Sequence, residues 1–432
     1  MKLRQQRLWL LCLLATITIT LQAQVTIGSK LEPNKGALLD LKENANAGVN
    51  STKGMLLPRV ALNWAANNLA QSLNPSADAS SMDGPEHAGL TVYSTSDDYC
   101  NGNYPGPYVW DGEKWNYLGK KKEFEVKQLV DKRDDNVYYT REFFDKDGNS
   151  AGTWMLENLR YVPKAKDGYD DYTYGFNGLY LPVFRPEKPG NYEYLDYHTE
   201  DKYYAYTRKG TGVMDASTLD SDKNNWDPQT GIIYNYAGAV NRIGPYPNED
   251  RSEGIGRTTT TPLRRGVCPE GWHIPSDEDW NILLQAIYNN PTQYSYYTPS
   301  QAFEPETWDQ AWNTNSNQGS SNTYGHGIAM ISCEFGGLSL PAKHGGFDAK
   351  TYGFLRVNSP SGGTFAASYL YYDALAYFTT SSYSQVAVPG TDHQRVSRIS
   401  LSLNKANVKS TRGLSFSPDN MISVRCMEDP TP

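Results

Sequence analysis

The sequence predicts an α+β fold in two parts, dominated by short strands. Three observations predict it. Short apolar or β-branched runs alternate with polar residues and stop at Gly, Pro, Asn or Asp, as half-buried strands do. One stretch, residues 276–290, has the spacing of an amphipathic helix. The texture also changes at Lys120-Lys121-Lys122, after which Tyr, Gly, Asn and Ser become frequent.

Residues 1–23 read as a secretory signal. Lys2, Arg4 and Arg7 form a basic start, an apolar run extends from Trp9 to Leu21, and Ala23 supplies the small residue at the cleavage point. The run falls short of the ~20 apolar residues of a membrane span. Cys12 sits inside it and is a poor lipid anchor. No second long apolar segment follows, so the expectation is a secreted or cell-surface protein with no membrane span after signal removal.

Residues 24–119 read as a small strand-rich module. Val25–Ile27, 37–41, 55–60, 89–93 and 108–110 are strand candidates, and residues 63–86 form a loop with room for a short helix. Asp111-Gly112 is a hairpin turn signal, and Lys114 to Leu118 alternate on the return strand. The three lysines then mark a solvated boundary before residues 120–432. There the helix begins at Ser276, an N-cap residue with Asp279 three positions on. Trp280, Leu283, Leu284 and Ile287 follow at i, i+3, i+4 and i+7, and Asn289-Asn290-Pro291 stops it. That stripe belongs in a core.

Composition narrows the function. The chain has 432 residues, and its 38% hydrophobic content with 37 Gly is globular. A net charge of −8 argues against nucleic acid as a partner, since phosphate contacts need a surplus of Lys and Arg. Of five Cys, four lie beyond the signal: Cys100, Cys268, Cys333 and Cys426. An exported chain would oxidise them, and four Cys allow three full pairings. No CxxC, HExxH, GxSxG or P-loop is present. His326 and His344 both flank Gly, but a zinc site needs a third ligand. His273 reads as a packed, hydrogen-bonded residue. Asp145-Lys146-Asp147-Gly148-Asn149 has oxygen ligands at short spacing but lacks the later bidentate Glu of a calcium loop, so it reads as a turn. Glu304, Glu306 and Asp309 beside Trp308 and Trp312 could suggest a glycosidase cleft; the favoured reading is an exposed acidic helix start with the two Trp in the core. No cofactor and no metal is expected.

The unusual number is 32 Tyr against 12 Phe. Tyr combines a flat apolar body with a hydrogen-bonding tip, which suits recognition. One cluster lies between 169 and 206, including Tyr169, Tyr172, Tyr174, Tyr192, Tyr194, Tyr197, Tyr203, Tyr204 and Tyr206. A second is Tyr288, Tyr294, Tyr296 and Tyr297. A third, Tyr369, Tyr371, Tyr372, Tyr377 and Tyr383, is interleaved with Ser and Thr and with Arg395 gives the candidate ligand-binding set. The alternative for all of them is half-buried packing in strands.

The stretch Cys268-Pro269-Glu270-Gly271-Trp272-His273-Ile274-Pro275-Ser276 resembles the Fibrobacter succinogenes major paralogous domain. Blocks in the same order are Thr153 to Arg160, Gly231 to Ala237, Gly337 to Ala342, Phe378 to Ser382, and Ser423 to Cys426. The resemblance implies a C-type-lectin-like irregular β core with helices and long loops, and no established catalytic activity. It further implies a bridge between Cys268 and Cys426, which bracket the domain. Cys100 and Cys333 could pair between domains or stay free, and the favoured expectation is that they stay unbridged. Lys53 to Arg59, Ala88 to Tyr93 and Tyr108 to Trp115 resemble a Bacteroidetes surface-protein module found in fibre-like, sometimes trimeric, stalks.

The expectation is therefore a non-catalytic adhesion protein that recognises a glycan or a surface protein through Tyr-rich loops. Two alternatives are a structural subunit, such as a pilus tip or fibre component and hence a homo-oligomer, and an enzyme on the related formylglycine-generating fold. The enzyme would need Cys333 as a reduced, reactive thiol.

Overall fold

A computed structural model describes the chain from residue 25 to residue 430. Residues 83–84, 122–123, 215, most of 163–201, 242–262, 298–302, 304, most of 314–325, 359–365, 385–394, 403–407 and most of 411–418 lie outside the described residues. What is described is mixed α+β, mostly strands in several sheets with few helices. The chain divides into two compact units. The first comprises residues 1–97 and 105–119, the second residues 98–104 and 120–432.

In the first unit, β1 (Val25–Ile27) and β2 (Leu39–Leu41) form a parallel pair. A four-stranded sheet follows in the order β3 (Arg59–Val60), β4 (Thr91–Ser94), β5 (Gly106–Trp110), β6 (Trp115–Tyr117). Asp111 makes the β5–β6 turn by accepting the N–H groups of Glu113 and Lys114, both at 2.8 Å. Alternation along β4 and β5 sends Val92, Tyr108 and Trp110 inward. Gly106 is a glycine of necessity: a Cβ there would meet the Tyr117 ring at 2.7 Å. The helix α1 (Leu69–Leu73) is capped by Asn68, and Trp115 Nε1 donates to Ser72 Oγ at 2.9 Å. The core is small, built from Leu62, Val92 and Tyr108 with a few half-buried neighbours.

The second unit begins with β7 (Lys127–Asp131), β8 (Asn136–Phe144) and β9 (Ser150–Met155). Met427–Glu428 and Trp272–His273 complete this five-stranded sheet beyond β9. A seven-stranded sheet runs Leu179–Tyr180, Lys202–Tyr206, Ile232–Tyr234, Ile422–Ser423, Leu375–Ser384, Arg395–Ser402, Val408–Ser410. A three-stranded sheet pairs Gly212–Met214 and Phe354–Asn358 with Ala366–Leu370 between them. The helix α2 (Asp277–Asn289) packs inside. Ser276 and Asp279 make both halves of a capping box, and Trp280, Leu283, Leu284 and Ile287 are fully buried.

The centre of this unit is aromatic. Trp280 meets Trp154 at 4.9 Å between ring centroids, Phe378 at 5.3 Å and Phe347 at 5.8 Å. Each such side chain contributes about 1.5–3 kcal/mol on full burial. Burial also decides the second Tyr cluster: Tyr288, Tyr294, Tyr296 and Tyr297 are all in the core, so packing is their role. Trp308 and Trp312 are core contacts too, crossing at 5.1 Å and 86°. They sit at a 3-10 turn, Gln310–Asn313, where the sequence suggested a helix start.

Cys268 and Cys426 are joined, with Cα atoms 5.9 Å apart. Cys100 and Cys333 are joined as well, at 5.3 Å, which corrects the expectation that they stay unbridged. The reason is that residues 98–104 belong to the second unit. Tyr99 stacks on Tyr296 there, at 5.0 Å and 12°, and carries Cys100 to its partner. A bridge across 158 positions restricts the unfolded chain by about 5 kcal/mol. Replacing Cys268 and Cys426 together by Ala should lower the denaturant midpoint of the second unit by several kcal/mol equivalent; an unchanged midpoint in urea titration would show the bridge to be dispensable.

Candidate functional site

The first unit carries a feature that burial alone would not produce. In β2 and the residue after it, Leu39 and Leu41 face solvent while Asp40 and Lys42 are buried. The two charges pair at 2.8 Å, and Asp40 Oδ2 also accepts the Asn34 N–H at 2.7 Å. The hydrogen bond from Lys42, then that from Asn34, hold the Asp40 carboxyl below its usual range. In β1, Val25 and Ile27 are exposed in the same way. Leu31, Leu38, Val49, Met55 and Leu56 are exposed too, Leu56 to 88%. A short segment thus turns its apolar side chains outward and its ion pair inward.

The third Tyr cluster is split by the structure. Tyr369 is fully buried in the strand Ala366–Leu370, and Tyr377 is buried under the Arg398 guanidinium at 4.6 Å. Tyr371 is half exposed, and its ring stacks on Phe354 at 5.9 Å and 15°. Its φ of 60° is in the left-handed region, which a bulky side chain enters only at a cost of order 1–3 kcal/mol. Gly353 makes the turn feasible, because a Cβ there would collide with the Leu370 carbonyl. Tyr372 turns the other way, towards Tyr352 and Phe335. Tyr383 pairs with Val396, and Ser384 with Arg395, in the sheet register. Tyr371 is thus the member of the set that the described residues leave open. From the first cluster, Tyr169, Tyr172, Tyr174, Tyr192 and Tyr197 lie outside the described residues, while Tyr203 and Tyr206 are buried in the strand Lys202–Tyr206.

The remaining candidates have structural work. Asp145 Oδ1 accepts the N–H groups of Asp147 and Asn149, and Oδ2 the Asn149 amide, so its oxygens close the β8–β9 turn. His273 is buried and hydrogen-bonded through Nδ1 to Asp429 at 2.8 Å. Cys333 is bridged, which removes the free thiol that the formylglycine-type alternative requires. No group of three or more potential metal ligands occurs among the described residues.

His326 is different. It is fully buried, in edge contact with Tyr288 and Trp308, and neither ring nitrogen has a hydrogen-bond partner among the described residues. Burial drives its pKa from 6.5 down to about 3. Its folded form must stay neutral, whereas the unfolded chain takes up a proton below pH 6.5. The contribution is therefore complete above pH 6.5 and is lost as the pH falls towards 3, on the order of 5 kcal/mol in all. His326→Phe should flatten the acid limb of the stability curve between pH 6.5 and 4, read as urea midpoints against pH. A limb as steep as the wild type's would show that His326 does not set it.

Residues 26–130 match the family model of a phage tail like trimerisation region. No curated protein and no solved structure matches the chain. The match corrects the resemblance to the Fibrobacter succinogenes major paralogous domain and the lectin expectation drawn from it, since no model of either family matches. The stretch that aligned with a Bacteroidetes surface module is matched instead, from β1 through most of β7, by a region described by its trimerisation.

Proposed function

We propose that this chain is a non-catalytic structural protein, a trimeric fibre or tail component outside the cytoplasm. The first unit would self-associate and the second unit beyond residue 130 would be the part displayed. The observation that carries the reading is the inverted segment 25–56, whose Leu, Val, Ile and Met side chains face water while an ion pair is buried. A monomer gains nothing from that arrangement. Covering those side chains with two further copies would contribute on the order of 1 kcal/mol each. It would also support a unit whose own core is too small to be comfortable alone. The trimerisation match covers the same residues. Two disulfides fit an oxidising compartment, which suits export and a surface or extracellular location.

A second reading, recognition of a glycan or protein through the Tyr-rich loops, retains one supporting observation, the exposed Tyr371 on its strained turn.

Residues 24–432 should sediment as three chains at micromolar concentration. The Leu39→Glu, Leu41→Glu double variant should sediment as one chain, with the circular dichroism of the wild type. A wild-type monomer, or a variant that remains trimeric, would overturn the reading.

A further inference from the structure

The second unit holds a cleft of about 760 Å³ whose lining, apart from Gln128, lies outside the residues of the trimerisation match. Four cations and two carboxylates line it: Arg160, Lys343, Lys350 and Arg425 against Glu157 and Asp348. The excess is positive, in a chain whose net charge is −8. Both carboxylates are already engaged. Glu157 accepts from Arg160 at 3.1 Å and from the Tyr139 N–H at 2.7 Å. Asp348 accepts the Ala342 N–H at 3.1 Å and lies 3.4 Å from Lys350.

That leaves two cations without a carboxylate of their own. Arg425, with no exposed surface, donates to Asn158 Oδ1 at 3.0 Å and to the carbonyls of Phe347 and Asp348. These acceptors are neutral; burial lowers its pKa to about 9, and the Asp348 and Glu157 charges nearby offset only part of that. A fixed charge under a water-poor floor acts at longer range than one at the surface. Lys343, exposed on the loop above, faces no ion-pair partner among the described residues. Asp348 itself holds a φ of 50°, a strained position that aims its carbonyl at Arg425.

We propose that this cleft binds a saccharide bearing a carboxylate, that is, a uronic acid unit. The carboxylate sits between Lys343 and the floor above Arg425. Hydroxyl groups need donors and acceptors side by side, and the lining offers both in the exposed amides of Gln128 and Gln229. The half-buried Tyr139 ring gives the sugar an aromatic surface. Two acidic side chains in the wall disfavour a doubly charged phosphate. The proposal does not depend on trimerisation. In a trimer, three such clefts would add avidity.

Isothermal titration of residues 24–432 with tetragalacturonate and with its uncharged galactose counterpart tests it. The acidic probe should bind, more weakly as salt rises, and the neutral one should not. Lys343→Glu should weaken binding about tenfold or more at an unchanged melting temperature, since the side chain is exposed. Equal affinity for the neutral probe, no binding of either, or unchanged affinity in Lys343→Glu would each overturn the proposal. So would binding confined to a peptide with a free C-terminal carboxylate and abolished by its amidation.

Discussion

The second unit depends on a single short segment, residues 421–429, that serves two sheets at once. Ile422–Ser423 pairs with Ile232–Tyr234 and with Phe378 in the seven-stranded sheet. Met427–Glu428 pairs with Trp272–His273 and β9 in the five-stranded sheet. Between them the backbone must cross the core, and Arg425 crosses with it. Its guanidinium lies 4.2 Å from the Phe347 ring centroid and 5.2 Å from that of Phe378. A buried charge is tolerable only when every direction is satisfied. Here the neighbouring loop carbonyls and Asn158 do this, so the loop at 347–348, the segment at 158 and the C-terminal strand are held in one arrangement. The Cys268–Cys426 bridge and the His273–Asp429 hydrogen bond fasten the same segment from its flanks.

The two units solve the burial problem in opposite ways. The second has aromatic side chains to spare and closes over them, with Trp154, Trp280 and Phe347 in mutual contact. The first has little to enclose. Its exposed apolar side chains exceed its core, and the pair Asp40–Lys42 takes the interior position that Leu39 and Leu41 would otherwise fill. Strand periodicity makes this an all-or-none choice: with a side-chain period of two, either the leucines or the charges face in. Lys42 is committed to Asp40, which settles the choice in favour of the charges. Such a unit leaves apolar surface uncovered as a single chain, which is the ground for proposing that it associates.

The cleft and the inverted segment differ in the same physical sense. The segment has apolar surface without cover, which calls for more protein. The cleft has more cations than carboxylates, the ground on which we propose a small anion among hydroxyl partners. Neither feature shows as a motif, because each is defined by what is missing around a side chain.

Several elements were legible in the residues. The helix at 277–289 follows from Ser276, Asp279 and the spacing of Trp280, Leu283, Leu284 and Ile287, since capping and periodicity are local. The β5–β6 hairpin follows from Asp111-Gly112, whose turn chemistry is local as well. Tertiary structure alone decided which Tyr residues are covered, because Tyr369 and Tyr371 are two positions apart and only the left-handed turn at Tyr371 separates a core ring from an open one. It alone decided the partner of Cys333, because the path of residues 98–104 into the second unit has no local signal. It alone exposed the leucines of β2, because alternation shows that two faces exist and not which of them is turned to solvent. The sequence thus determined the elements built from neighbours along the chain, and the tertiary structure decided what each face meets, since burial is a property of distant residues brought together.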